Sequence, residues 1–346
     1  MTRLRPIPRL GDRTAEGLLL AGSRFAWFDR VERHGAEAAE AAESRAAPLS
    51  ASGLDAATRA RLSGPRPALC GMPLDHPRVM GILNATPDSF SDGGDFASRK
   101  AAVARAREMA AEGVDIIDIG GESTRPGARA VPAAEEIART RPLIAEIRAA
   151  GIATPISIDT RKAAVAEAAL DEGADIVNDV AAFTFDPELA GLCATRRVPV
   201  ILMHAQGRPE TMQTAPSYTD VTREVLDFLE ERIVYSEAQG IAREAIIIDP
   251  GIGFGKTEAH NLTLLKNLAA LHDLGAPVLL GASRKRFIGA VGGAPEAKDR
   301  LGGSLAVALH GAAQGVHILR VHDTHETIQA LRLFAALNAA EPQEEA

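Results

Sequence analysis

The sequence predicts an α/β fold, a (β/α)8 TIM barrel with an N-terminal extension, and three observations carry that expectation. Eight short apolar runs rich in β-branched residues recur between residues 78 and 321, and each ends in polar or ionisable side chains. Ala-rich segments with helical spacing lie between them. Aromatics are scarce, at 10 Phe, 2 Tyr and 1 Trp, so the core has to be built from Ala, Val, Ile and Leu. Continuous apolar runs suit strands buried on both faces, and their alternation with helices implies parallel pairing. Eight such units in about 260 residues match the size of a closed barrel. An open doubly wound sheet is the alternative, but no strand leads into a G-x-G-x-x-G turn with a distant ribose-binding acid.

Residues 1–77 read as an extension. An Arg- and Pro-rich start is followed by the Ala/Glu run Ala36–Ala47, then by Pro48 and Gly64-Pro65. This supports no more than one short helix. The pair Trp27-Phe28 either packs onto the main body or belongs to a solvated, partly disordered segment. The first barrel strand begins only near Arg78, so the barrel is expected to fold without residues 1–70.

The barrel is expected over residues 78–338, with a tail at 339–346. Its strands are Val79–Leu83, Asp115–Ile119, Pro155–Ile158, Asp175–Val177, Val198–Met203, Ala245–Ile248, Pro277–Leu280 and Val316–Val321. Helices are expected at Arg99–Ala111, Ala133–Ala149, Lys162–Asp171, Thr219–Ala238 and Glu258–His272, four of them stopped by Gly113, Gly151, Gly173 and Gly240.

With 38 Lys plus Arg against 46 Asp plus Glu, the formal charge of −8 argues against a general nucleic-acid binder. Cys70 and Cys193 have no ligand-like spacing, which leaves neither a disulfide framework nor a structural zinc site and fits a reducing cytoplasm. The run Leu18–Ala21 is too short for an export signal, and no apolar stretch approaches the roughly 18 residues of a membrane span. A soluble cytoplasmic protein without membrane partners is expected.

In such a barrel the side chains at the C-terminal strand ends converge on one face. Those positions carry Asn84, Glu122-Ser123-Thr124-Arg125, Asp159, Asn178, His204, Asp249, Ser283-Arg284-Lys285, and Arg320 with His322 and Asp323. Any one of them reads equally well as a helix cap. Together they form a pocket with two sectors. Asp159, Asn178 and Asp249 supply acceptors and one amide, suited to a flat heterocycle with adjacent N–H donors. Lys285, Arg320, His322 and Arg125 suit an anion such as pyrophosphate. Asn84, with Asp88 and Asp92 nearby, could hold a Mg2+ that keeps waters and phosphate oxygens. The stretch Gly251–Thr257 looks like a phosphate loop, but Pro250 stands where that pattern needs its first Gly. Its glycines instead allow a sharp turn that brings Phe254 over the pocket. The polar stretches Thr86–Gly94 and Glu122–Ala130 read as a lid.

The motifs MGILNATPDSFSDGG from Met80, DIIDIGGESTRPGA from Asp115, PISIDTRK from Pro155, DIVNDV from Asp175, VILMHAQG from Val200, IIIDPGIGFGKT from Ile246, GASRKRFIG from Gly281 and LRVHD from Leu319 follow one another in family order. On these the chain resembles the dihydropteroate synthases. The resemblance implies a barrel that joins p-aminobenzoate to 6-hydroxymethyl-7,8-dihydropterin pyrophosphate with Mg2+ assistance, as a homodimer. It implies that Asp159, Asn178, Met203, Asp249, Lys285 and Arg320 hold the pterin, and that Asn84, Arg320 and His322 address the pyrophosphate. Asn84 and Asp92 would meet the metal. Phe90, Thr124, Arg125, Pro126, Phe254 and Ser283 would form the p-aminobenzoate pocket, and catalysis would rest on Asp159, Lys285, Arg320 and His322. Arg286 departs from relatives that carry Ser beside the p-aminobenzoate carboxylate. Two rival readings share the barrel, a non-catalytic pterin-binding paralogue and a methyltetrahydrofolate corrinoid methyltransferase. The first should have lost pyrophosphate or lid residues that this chain keeps, and the second would not need the Ser283-Arg284-Lys285 run or the Arg320/His322 pair.

Overall fold

A computed structural model describes residues 2–34, 48–85, 94–123, 130–207 and 212–339. Ahead of the barrel lie five short strands, β1 (Arg3–Pro6), β2 (Leu18–Leu19), β3 (Trp27–Phe28), β4 (Arg30–His34) and β5 (Leu49–Ser50), and a helix Ala56–Ser63. β4 pairs antiparallel with both β1 and β5, and β2 pairs with β3. Asp55 caps the helix by accepting from Thr58 N at 2.8 Å. The extension thus holds more regular structure than the single helix expected. Leu20, Phe28, Val31 and Leu62 form its own buried core.

The extension is fastened to the barrel by charge and by packing. Arg3 reaches Asp227 at 2.6 Å and Glu230 at 2.8 Å on the helix Val221–Ala238. Asp273 accepts from Arg61 at 2.8 Å and from Leu4 N at 3.2 Å. Leu20 packs so closely on Gly315 that a Cβ there would lie 2.9 Å from its methyl.

The barrel strands are β6 (Arg78–Asn84), β7 (Ile116–Gly120), β8 (Ile156–Asp159), β9 (Ile176–Asp179), β10 (Val200–Met203), β11 (Ile246–Asp249), β12 (Leu279–Leu280) and β13 (Ile318–Val321). They pair in parallel in the order β11-β10-β9-β8-β7-β6-β13-β12, and a parallel bridge between Ile248 and Val278 closes the ring. This is the (β/α)8 TIM barrel that the run pattern predicts. The glycines expected to stop helices do so with left-handed backbones, φ +94° at Gly113, +76° at Gly151, +101° at Gly173 and +93° at Gly240.

The period of two along each strand places the chemistry. Met80, Ile116, Ile176, Ile201, Ile247, Leu279 and Ile318 form the inner cluster at the lower end of the barrel, joined by Leu69 and Leu74 from below. Two residues further along a strand the side chain faces inward again. Those positions hold Asp118, Asn178, Met203, Asp249, Gly281 and Arg320, while Ser157 and Asp159 face inward on β8 between Ile156 and Ile158 of the outer core. Six strands therefore carry an apolar floor residue and, one layer higher, a polar, small or soft one, whereas β6 continues from Met80 through Ile82 before it reaches Asn84. No helix among the described residues is long and apolar enough to cross a membrane.

Candidate active site

Arg320 lies at the centre of the inward layer. Its Nε donates to Asp118 Oδ2 at 2.7 Å, and its Nη2 lies 2.6 Å from that oxygen and 2.7 Å from Asp159 Oδ2. Asn178 Nδ2 donates to Asp118 Oδ1 at 3.3 Å. Asp159 Oδ1 is buried with no hydrogen-bond partner among the described residues. Burial holds the Asp159 carboxyl above the ordinary carboxylate range; Arg320 opposes the shift and Asp118 adds to it. On the neighbouring side Asp249 Oδ1 accepts from Gly251 N at 2.7 Å, and burial pushes its carboxyl up to about 6 against that N–H and the charges of Lys285 and Arg320. Gly281 leaves room between them, since a Cβ there would sit 3.7 Å from Asp249 Oδ2 and 3.8 Å from Arg320.

The loop after β11 explains why Gly251–Thr257 is no phosphate cradle. A Cβ on Gly251 would meet His204 O at 1.9 Å, and one on Gly255 would meet Gln206 O at 2.2 Å. Lys256 Nζ is spent inside this turn on Gly251 O at 2.9 Å, Phe254 O at 3.1 Å and His204 O at 3.3 Å. The result presents Phe254 to Lys285, whose Nζ stands 3.9 Å from the ring centroid. Phe254 also clusters with Met203 and Met212. His204, a strand-end residue in sequence, is taken up by Lys256 and by an edge contact with Phe228 at 4.9 Å.

The Ser283-Arg284-Lys285 run divides its work. Ser283 Oγ accepts from His322 N at 3.2 Å and lies 3.1 Å from His322 Nδ1. Arg284, in a left-handed backbone at φ +58°, turns to Asp323 at 3.0 Å, so only Lys285 joins the basic sector. Arg286 starts the helix Arg286–Gly292 with its side chain exposed. Near the second strand end, Glu122 accepts from Val131 N at 2.8 Å and pairs with Arg161 and Lys162, both at 3.2 Å. A cavity of about 510 Å³ opens beside Phe254, bordered by Val180, Ala205, Met212, Arg161 and Phe185.

The structure thus brings Asp159, Asn178, Met203, Asp249, Lys285, Arg320, Ser283, His322 and Phe254 to one end of the barrel, with Asn84 half-buried at the end of β6. Phe90, Asp92, Thr124, Arg125 and Pro126, as well as Asp88, lie outside the described residues. Asp118 was not among the expected site residues. Its signal was a charge at an inward position within an apolar run. Among the described residues no group of three or more His, Cys, Asp or Glu is placed to hold a metal. Asn84 offers one amide oxygen, a hard donor of the kind Mg2+ accepts when it keeps most of its waters.

Comparison with known proteins agrees with this geometry. Residues 80–322 match the pterin binding enzyme family. The chain is 47% identical over 259 residues to the dihydropteroate synthase of Synechocystis sp., covering 75% of this chain and 89% of that protein. It is equally 47% identical over 267 residues to the Escherichia coli enzyme, covering 77% and 94%. A Xanthomonas albilineans dihydropteroate synthase solved with 4-aminobenzoic acid matches with a TM-score of 0.75 at 48% identity, over 80% of this chain and 99% of that one. The same organism's enzyme in complex with 7,8-dihydropteroate matches with a TM-score of 0.70 at 45% identity, over 78% and 96%. With the barrel, its inward acids and the sequence motifs all in agreement, the chain belongs to the dihydropteroate synthase family of pterin binding enzymes.

Proposed function

We infer that the protein is a transferase that joins p-aminobenzoate to 6-hydroxymethyl-7,8-dihydropterin pyrophosphate, giving 7,8-dihydropteroate and pyrophosphate. The observation that carries this reading is the buried Oδ1 of Asp159, unpartnered among the described residues and one strand away from Asn178, with Arg320 on Asp159 and the charges of Lys285 and Arg320 acting on Asp249. A polar group buried without a partner is costly, and a heterocycle bearing adjacent N–H donors removes that cost.

In this reading Asp159, Asn178 and Asp249 read the pterin edge, and Met203 supplies an apolar wall. Arg320 lies along the ring. Arg320, Lys285 and His322 stabilise the negative charge that grows on the pyrophosphate as the C–O bond breaks. Mg2+, when bound, would be held by Asn84 and Asp92 and would neutralise pyrophosphate charge. Phe254 and Ser283 border the p-aminobenzoate, together with Phe90, Thr124, Arg125 and Pro126. The aromatic amine attacks as its free base, so no strong general base is required. We further propose a cytoplasmic homodimer. The cytoplasmic reading is supported by the sparse, unpaired cysteines, and the dimer by the family resemblance.

The test is direct. The purified chain with pterin pyrophosphate, p-aminobenzoate and Mg2+ should yield dihydropteroate, followed by mass. Pterin binding without product would favour a non-catalytic pterin-binding protein instead.

A further inference from the structure

We propose that Asp118 is a positioning residue that sets the hydrogen-bond polarity of the pterin slot, fixing which end of the Asn178 amide and which oxygen of Asp159 meet the ligand. The proposal rests on the pterin-binding reading above and deepens it.

Asp118 is fully buried on β7, level with Ser157 and so two residues short of Asp159 on the neighbouring strand. Its strand partner on β8 is Ser157, whereas Asp159 pairs with Gly120 and Asn178. From there it touches two residues of the slot without lining it. Oδ1 receives Asn178 Nδ2 at 3.3 Å, and Oδ2 receives Arg320 Nε at 2.7 Å. A carboxylate can only accept, so the amino end of Asn178 has to turn toward it. The amide oxygen then points away from Asp118, as an acceptor.

The second effect runs through Arg320. A guanidinium beside one carboxylate tends to take both of its oxygens in a paired, two-bond contact. Here the fork is divided, with Nε on Asp118 and Nη2 shared between Asp118 and Asp159 Oδ2. Asp159 Oδ1 is left as a buried oxygen without a partner among the described residues. Without Asp118, Arg320 would be released to close over both oxygens of Asp159. The acceptor that reads the heterocycle would be lost.

The test uses Asp118→Asn, calorimetric binding of the pterin pyrophosphate with Mg2+, and KM for p-aminobenzoate at saturating pterin. Pterin affinity should fall about tenfold or more, while that KM stays within about twofold. A merely structural role would move both. The double variant Asp118→Asn/Asn178→Asp exchanges amide and carboxylate, so that an acceptor again faces the slot. It should recover affinity to within about fivefold of the parent rather than losing more, a non-additive result. If Asp118→Asn alone does not fold, the double variant carries the test, and a loss beyond about a hundredfold overturns the proposal. Asp249→Asn, measured in parallel, separates the two levels of inference. If it weakens binding about 30-fold or more while Asp118→Asn binds like the parent, the positioning role falls and the pterin reading stands. If Asp249→Asn binds the pterin about as tightly as the parent, both fall.

Discussion

Lys256 Nζ lies 2.9 Å from His204 Nδ1, deep beneath the turn that carries Phe254. Among the described residues no carboxylate pairs with this ammonium, and burial pushes the lysine down to about 7 and the histidine down to about 3. His204 therefore stays neutral and accepts. The lysine acts as a clamp on three carbonyls, which makes it part of the scaffold that presents Phe254 to Lys285.

Lys256→Met should leave those carbonyls without their donor, costing about 1 to 3 kcal/mol in a urea melt. Phe254 would lose its fixed place, so KM for p-aminobenzoate should rise about tenfold while pterin affinity changes less. Unchanged stability and KM would mean that the glycine turns alone hold the loop.

The extension supports a second prediction, contrary to the sequence expectation that the barrel folds without residues 1–70. Phe28 is fully buried, and Leu69 joins the inner cluster of the barrel. Phe28→Ala should cost about 3 to 5 kcal/mol, and deletion of residues 1–70 should lower the unfolding midpoint and expose apolar surface to a reporter dye. A truncated chain that melts like the full one would show that the barrel's stability does not depend on the extension.

How much could be read in the chain follows from how local each signal is. Strand ends such as Asp159, Asn178 and Asp249 were legible because each follows a continuous apolar run. Asp118 was not, since reading past the end of DIIDI passes over a charge inside it. The extension strands span two to five residues and pair distantly, Arg3 with His34 for example, so no local period marks them. The roles of Lys256 and His204 depend on carbonyl positions that only the folded turn creates.

Histidines on the barrel floor give a pH dependence. His272 and His317 stand 5.6 Å apart, and Arg66 reaches His272 O at 3.4 Å. Burial first, then Arg66, pushes His272 down to about 3; His317 is held well below its ordinary value by burial, His272 and Arg66. Folded, both stay neutral where the unfolded chain takes up protons near pH 6.5. Their stabilising contribution is full above that pH and is lost as pH falls, by about 1.4 kcal/mol per unit for each histidine. Asp159 and Asp249, with raised values, act in the opposite sense over the same range. Urea unfolding at pH 7, 6 and 5 should show a shallower acid limb for His272→Gln than for the parent. Parallel curves would rule out the assignment.

The metal proposal predicts that Asn84→Ala weakens only the Mg2+-dependent part of pyrophosphate binding, because one oxygen ligand of a largely hydrated ion is lost. Pyrophosphate titrations with and without Mg2+ read this directly. Overlaying curves for variant and parent in the presence of the ion would remove Asn84 from the metal site.

Asp249→Asn is the sharpest test of the acidic sector. The carboxylate already spends Oδ1 on Gly251 N, at 2.7 Å, and its second oxygen faces the space beside Gly281. An amide of the same shape can keep the Gly251 contact only by turning its NH2 toward the ligand, donor against donor. The mismatch should cost on the order of 2 to 4 kcal/mol, or roughly a 30- to 1,000-fold loss of pterin affinity. Apo stability should not fall, since burial already works against the charge of Asp249. Calorimetry on parent and variant decides the matter, because near-equal pterin affinity would show that Asp249 does not read the heterocycle.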